Sequence, residues 1–144
     1  MPCIFCNIVN GEIPSFKIFE DEDVLAFLDV NPVTRGHCLV IPKMHFESIF
    51  DIPEELLQKV IVSGKNISKK IKDVLQPDGI RLSQSNGEVA GQAIFHFHLH
   101  VIPRYKNDGL SMDHHTTASP SKADMEELKK IALQLCSGQA EKLK

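Results

Sequence analysis

The stretch Ile94-Phe95-His96-Phe97-His98-Leu99-His100-Val101-Ile102 constrains this chain more than any other part of it. Histidine holds the even positions from 96 to 100, and apolar residues hold the odd positions from 95 to 101. Side chains alternate between the two faces of a β-strand that rises ~3.3 Å per residue, so a strand over these residues sets the three rings on one face, about 6.5–7 Å apart. Phe95, Phe97, Leu99 and Val101 are then expected to pack, and the imidazole nitrogens must find polar partners wherever they are buried.

The surrounding pattern supplies a sheet for this strand to join. Phe16 to Glu20 and Val24 to Val30 are β-branched and aromatic runs parted by Asp21-Glu22-Asp23, the mark of a hairpin. His37 to Pro42 and Ile80 to Ser85 read as two further strands, with Ile94 to Ile102 the fifth. Between them the apolar period lengthens from about two to about 3.6, with Leu56, Leu57, Val60, Ile61, Ile67, Ile71 and Val74 on one face, which predicts a long helix from Pro53. Asp51 is its expected cap, and Pro77-Asp78-Gly79 its expected end. Pro2 to Ile13 has room for one short helical turn. Tyr105 to Pro120 is polar and irregular, and a last helix is expected from Ser121 to near Gly138 with Met125, Leu128, Ile131 and Leu135 inward.

At 144 residues the chain fits one domain, residues 1–144, with enough length for a core that needs no disulfides. Net charge is −3 and no apolar run approaches the ~18 residues of a membrane span, so neither nucleic acid nor membrane is an expected partner. The N-terminus lacks the basic and long apolar regions of a signal peptide, which places the protein in a reducing cytoplasm. There, Cys3 and Cys6, spaced Cys-x-x-Cys, point to metal binding, redox chemistry or coincidence, and Cys38 and Cys136 to small buried apolar residues.

Two chemistries can use a row of imidazoles. Metal-assisted hydrolysis needs ligands that close round one ion beside an open position for water. Residues two apart on a strand supply a pair of ligands readily, but three in a row seldom surround one ion. Nucleophilic catalysis needs a neutral ring whose far nitrogen is held by an acceptor while the near one attacks phosphorus, with a neighbour assisting the leaving group.

His96 to Ile102 resembles, at every position, the signature His-φ-His-φ-His-φ-φ (φ apolar) of the histidine triad family. The resemblance extends to Leu25-Ala26-Phe27-Leu28-Asp29, Gly36-His37, Val40-Ile41-Pro42-Lys43, Ala90-Gly91-Gln92 and Ile102-Pro103-Arg104, covering roughly residues 3 to 106; residues 107–144 form an extension of loop and helix. It implies an α+β fold, a five-stranded antiparallel sheet with one long helix packed on it and a C-terminal helix. It implies a homodimer as well. His98 is implied to attack the α-phosphorus of a purine nucleotide conjugate and carry the nucleotidyl group covalently, with His100 bonding the phosphate or leaving group, His37 orienting His98, and His96 completing the triad.

The same resemblance implies that Asp29 meets ribose hydroxyls and that Phe5, Ile8 and Val30 surround the nucleobase, although core packing explains such apolar residues equally well. Gly91, Gln92 and Ala93 are implied to contact phosphate, glycine letting backbone N–H groups approach an anion. Two departures stand out: Ala93 replaces the serine of the phosphoramidase branch, and Ser85 replaces an amide thirteen residues before the nucleophile, with Asn86 beside it as a substitute. Lys43 and Arg104 read as solvated charges flanking strands. In some bacterial-type members and in related galactose-1-phosphate uridylyltransferases, two cysteines and two histidines bind structural zinc; the matching residues are Cys3, Cys6, His45 and His96. His114 and His115 lie in the polar loop, beyond the resemblance. The implied activity is nucleotide hydrolysis or nucleotidyl transfer, against which stand a nucleotide-binding module with little turnover and a metal-dependent phosphoesterase.

Overall fold

A computed structural model describes residues 3–110 and 124–142; Ser121, His114 and His115 fall outside them. Five strands form one antiparallel sheet: β1 (Lys17–Glu20), β2 (Val24–Leu28), β3 (Cys38–Pro42), β4 (Gly79–Ser83) and β5 (Leu99–Arg104), in the spatial order β1-β2-β3-β5-β4. The helices are α1 (Ile4–Val9), α2 (Glu54–Leu75) and α3 (Met125–Lys142), the last running past the expected stop near Gly138. This is the expected α+β architecture.

Strands β2 and β3 are buried along their whole length because both faces of the sheet are covered. On one face Val24, Ala26, Leu28, Cys38, Val40, Leu99 and Val101 pack with Val60, Ile67, Ile71 and Leu75 of α2 and Leu128, Ile131 and Leu135 of α3. On the other, Leu25, Phe27, Leu39 and Ile41 pack with Phe5 and Ile8 of α1. Each large apolar side chain buried this way contributes roughly 1.5–3 kcal/mol, which is what holds two short covering layers on a small sheet.

Helix α2 departs from its expected face. Ile61 and Val74 are exposed, and the buried stripe instead runs Val60, Ser63, Gly64, Ile67, Ile71 and Leu75. The stripe is narrow because the helix approaches β5 closely: a Cβ on Gly64 would lie 2.7 Å from Cδ2 of Leu99. Asp51 does not cap α2, whose N-cap is Pro53; its carboxylate accepts N–H bonds from Glu47 at 3.0 Å and Ser48 at 2.8 Å, closing the preceding turn. In α3, Met125 is exposed and Ala132 joins the inner face.

The histidine segment departs most. Regular pairing of β5 begins only at Leu99, and residues 94–98 approach it as irregular chain. Phe95 is 44% exposed, whereas Phe97, Leu99 and Val101 are buried as expected. The bend separates His96 from the other two rings.

Candidate functional site

The register sets the site. Leu39 of β3 opposes His100 of β5, and His100 opposes Ser83 of β4, so His100 lies on the α1 side of the sheet. Asp29 N–H bonds the His37 carbonyl at 3.0 Å and continues β2 alongside β3, which brings Asp29 and His37 to the same end of that face.

Hydrogen bonds then assign the tautomers. Val33 N–H donates to Nδ1 of His37 at 3.1 Å, so neutral His37 carries its proton on Nε2. That Nε2 stands 3.0 Å from Nδ1 of His100, which must accept, leaving the His100 proton on Nε2. His98 is set the other way round: its Nδ1–H donates to the carbonyl of His96 at 2.7 Å, leaving the lone pair on Nε2. The rings of His98 and His100 are 5.0 Å apart at 73°. The site therefore places a lone pair and an N–H donor side by side, which is what in-line attack with stabilisation of a departing group requires.

Burial reinforces this assignment. His98 is 8% and His37 is 4% exposed. Burial lowers the proton affinity of His98 below the free-imidazole value, with the His96 carbonyl and Asp29 opposing. Burial lowers His37 likewise, opposed by Asp29 and aided by His98. Asp29 Oδ2 is 3.8 Å from His37 Nε2, while Oδ1 accepts the Asn31 N–H at 2.8 Å. Asp29, His37 and His100 lie close enough to hold a metal ion. The Val33 bond argues against that use, because it commits Nε2 of His37 to a proton.

His96 is turned away from this pair. It is fully buried, its Nδ1 stands 3.4 Å from the Cys3 thiol and 3.6 Å from that of Cys6, and its Nε2–H donates to the Pro42 carbonyl at 2.8 Å. His45 Nδ1 lies 3.3 Å from Cys6 Sγ, and one ligand atom from each of the four residues lies within 4.8 Å of every other. Tetrahedral zinc with Zn–S of about 2.3 Å and Zn–N of about 2.0 Å separates sulfur from nitrogen by roughly 3.5 Å, so the donor set fits that ion. The Pro42 bond is the outer-shell support that a ligating imidazole ordinarily has. Burial, then the neighbouring Cys3, raises the Cys6 thiol above its ordinary proton affinity.

The remaining expected residues sit as follows. His37 partners His100, and the group that orients His98 is the His96 carbonyl. Phe5 is buried against the His98 ring, Ile8 is buried in the same core cluster on the α1 face, and Val30 is 39% exposed beside Asp29. Asn86 Oδ1 accepts from Ile49 N–H and from Gln84 Nε2, both at 2.7 Å, so its amide ties loops together. Buried Gln92 does the same, accepting from Gly87 N–H at 2.8 Å and donating to the carbonyls of Glu47 and Ile94. Gly91, at φ +100°, and Gln92 donate their backbone N–H groups to Glu88 and Gly87; among the described residues of this segment, exposed Ala93 keeps the N–H not tied within the loop. Lys43 pairs with Glu20 at 2.7 Å and Arg104 grips Asp108 at 2.7 and 3.1 Å, consistent with charges outside the site. The groups that sequence reasoning missed are the Val33 N–H and the carbonyls of His96 and Pro42. Main-chain atoms are common to every residue and leave no trace in a sequence.

Residues 10–107 match the HIT domain family. A Bacillus subtilis protein called Protein hit is 50% identical over 108 residues, 74% of each chain. A zinc-bound histidine triad family protein from Mycobacterium smegmatis superposes with TM-score 0.83 at 35% identity, covering 100% of this chain and 99% of its own. A hypothetical histidine triad nucleotide-binding protein from Sulfolobus tokodaii superposes with TM-score 0.85 at 34% identity, covering 96% and 93%. Fold, histidine spacing and these similarities agree: the chain belongs to the HIT, or histidine triad, family.

Proposed function

We propose that this protein hydrolyses or transfers nucleotidyl groups at the α-phosphate of purine nucleotide conjugates through a covalent nucleotidyl-His98 intermediate. The observation that carries the reading is the 2.7 Å bond from His98 Nδ1–H to the His96 carbonyl, which presents the Nε2 lone pair. That pair forms a bond to phosphorus as the bond from phosphorus to the leaving group breaks, the electrons departing with that group. The Nδ1 proton stays on His98, and the His96 carbonyl stabilises the positive charge that develops on the ring. His100 offers its Nε2–H to the phosphate or leaving group. Water then attacks phosphorus and loses a proton to solvent as the bond from phosphorus to Nε2 breaks, its electron pair returning to Nε2 and restoring neutral His98.

Asp29 is assigned to the ribose hydroxyls, Val30 and Ile8 to the nucleobase and Ala93 N–H to phosphate. The nucleotide-binding designation of the Sulfolobus tokodaii relative supports this class of ligand. Cys3, Cys6, His45 and His96 are assigned to structural zinc, which when bound joins α1 to the segments around His45 and His96. A reducing cytoplasm suits these four ligands, since both cysteines are free thiols. A homodimer is part of the same reading: Ile61, Val62 and Leu82 are exposed apolar residues on α2 and on the edge strand β4.

The test is trapping. Incubation with adenosine 5′-phosphoramidate or a dinucleoside polyphosphate, followed by quenching and peptide mass spectrometry, is expected to show adenylate on His98, and His98→Ala is expected to abolish both label and turnover. A chain that binds nucleotide and is never labelled would be a binding module instead.

A further inference from the structure

The segment carrying His98 is held in an unusual way. Residues 94–98 take no part in the sheet ladder; their main chain is tethered by the Phe97 N–H bond to the Phe46 carbonyl, 2.7 Å long, and by the Ile94 carbonyl, which accepts from Gln92 Nε2 at 3.1 Å. His100 meets the His98 ring from β5 at 5.0 Å, and two further groups reach it from the direction of the thiol cluster, along two routes.

One route is His96, whose ring faces the thiols and Pro42 while its carbonyl accepts the hydrogen bond from His98 Nδ1–H. The other is Phe5. It sits between the two cysteines in α1, where Cys3 is the N-cap and the Cys6 N–H closes onto Cys3 Sγ at 3.5 Å. Phe5 is 4% exposed, and its ring meets His98 edge to face at 5.2 Å, His96 at 5.8 Å and Phe27 at 5.7 Å. Such contacts are directional, so the ring restrains the tilt of the imidazole as well as excluding water from it. A six-residue helix does not hold itself in place; α1 needs outside anchors, and its N-terminal end is anchored at the cysteines.

Resting on the reading of His98 as nucleophile, we propose that Phe5 is a positioning residue through which the Cys3, Cys6, His45 and His96 cluster sets the pose of His98. The cluster thereby tunes catalysis as well as the fold. The positioning role adds to the nucleobase contact expected of Phe5 and is read in turnover and in the His98 tautomer, which a nucleobase contact alone would not move.

The test uses the full chain with histidine 15N-labelled, loaded with one equivalent of zinc, and compares wild type with Phe5→Leu. Zinc content, KM and kcat are measured beside long-range proton–nitrogen spectra that read the His98 tautomer. Wild type is expected to show His98 as a single Nδ1–H tautomer. Phe5→Leu is expected to keep its zinc and a KM within about twofold, lose roughly 10- to 100-fold in kcat, and give mixed His98 tautomer signals. Chelation of wild type should mix the tautomers in the same way while circular dichroism stays unchanged, and should add little in Phe5→Leu; this arm decides the matter if the variant does not fold. The proposal is overturned if Phe5→Leu raises KM and spares kcat and the tautomer, if chelation leaves the His98 signals unmoved, or if the chain takes up no zinc. Absence of any adenylate on wild-type His98 would instead overturn the reading beneath it.

Discussion

The Val33 N–H bond to His37 makes one imidazole the keystone of the tautomer chain. A backbone N–H can only donate, so Nδ1 of His37 must remain unprotonated for the bond to survive. Burial holds His37 below the ordinary imidazole value of 6.5, with Asp29 opposing, and a depressed histidine keeps its neutral form as pH falls through 6.5. The stability this provides is present above 6.5 and is lost as pH falls through the lowered value. The kcat of nucleotidyl transfer is therefore expected to be flat from neutral pH through 6.5, with its acid limb below that point. The same limb should be seen in loss of Val33 amide protection; a limb centred at or above 6.5 would contradict the assignment. His37→Asn, which cannot pass the same orientation to His100, should lower kcat by about tenfold.

At the scale of elements, the site depends on connections more than on strands. The turn between β2 and β3 delivers His37 through Gly36, whose φ is +91° and whose added Cβ would lie 2.5 Å from Cδ1 of Leu75 and 3.2 Å from Cγ of Pro103. Gly36→Ala combines a left-handed backbone with overlap against α2, and is expected to cost about 2–4 kcal/mol in a denaturant unfolding experiment. An unchanged midpoint would mean that the turn relaxes freely. The α2 stripe shows the same logic. Periodicity placed a helix here correctly, but which apolar residues face inward depended on the close approach at Gly64, a property of the sheet beneath it.

Across the whole molecule, a sheet covered on both faces leaves β4 as an outer strand with Leu82 41% exposed. An open edge of this kind invites pairing with another chain. Sedimentation of the full chain is expected to give twice the 16.1 kDa of one copy, and Leu82→Glu to shift it toward one copy. A single-copy mass for wild type at micromolar concentration would remove the dimer from the reading. Among the described residues no helix is long and apolar enough to cross a membrane, in line with the hydropathy of the sequence.

The sequence by itself determined the antiparallel α+β sheet and the long helix, because periodicity is written in side-chain identity, while the grouping of Cys3, Cys6, His45 and His96 followed from the resemblance to the histidine triad family. It also marked His98 and His100 through the histidine spacing, although only His100 lies within the ladder of β5. Only the tertiary structure decided that His96 turns to the thiols, that His37 meets His100, and that Asn86 and Gln92 bind loops together. Those outcomes rest on backbone donors and acceptors at Val33, Pro42, His96, Glu47 and Ile49, groups that every residue carries and whose direction is set only when distant segments pack together.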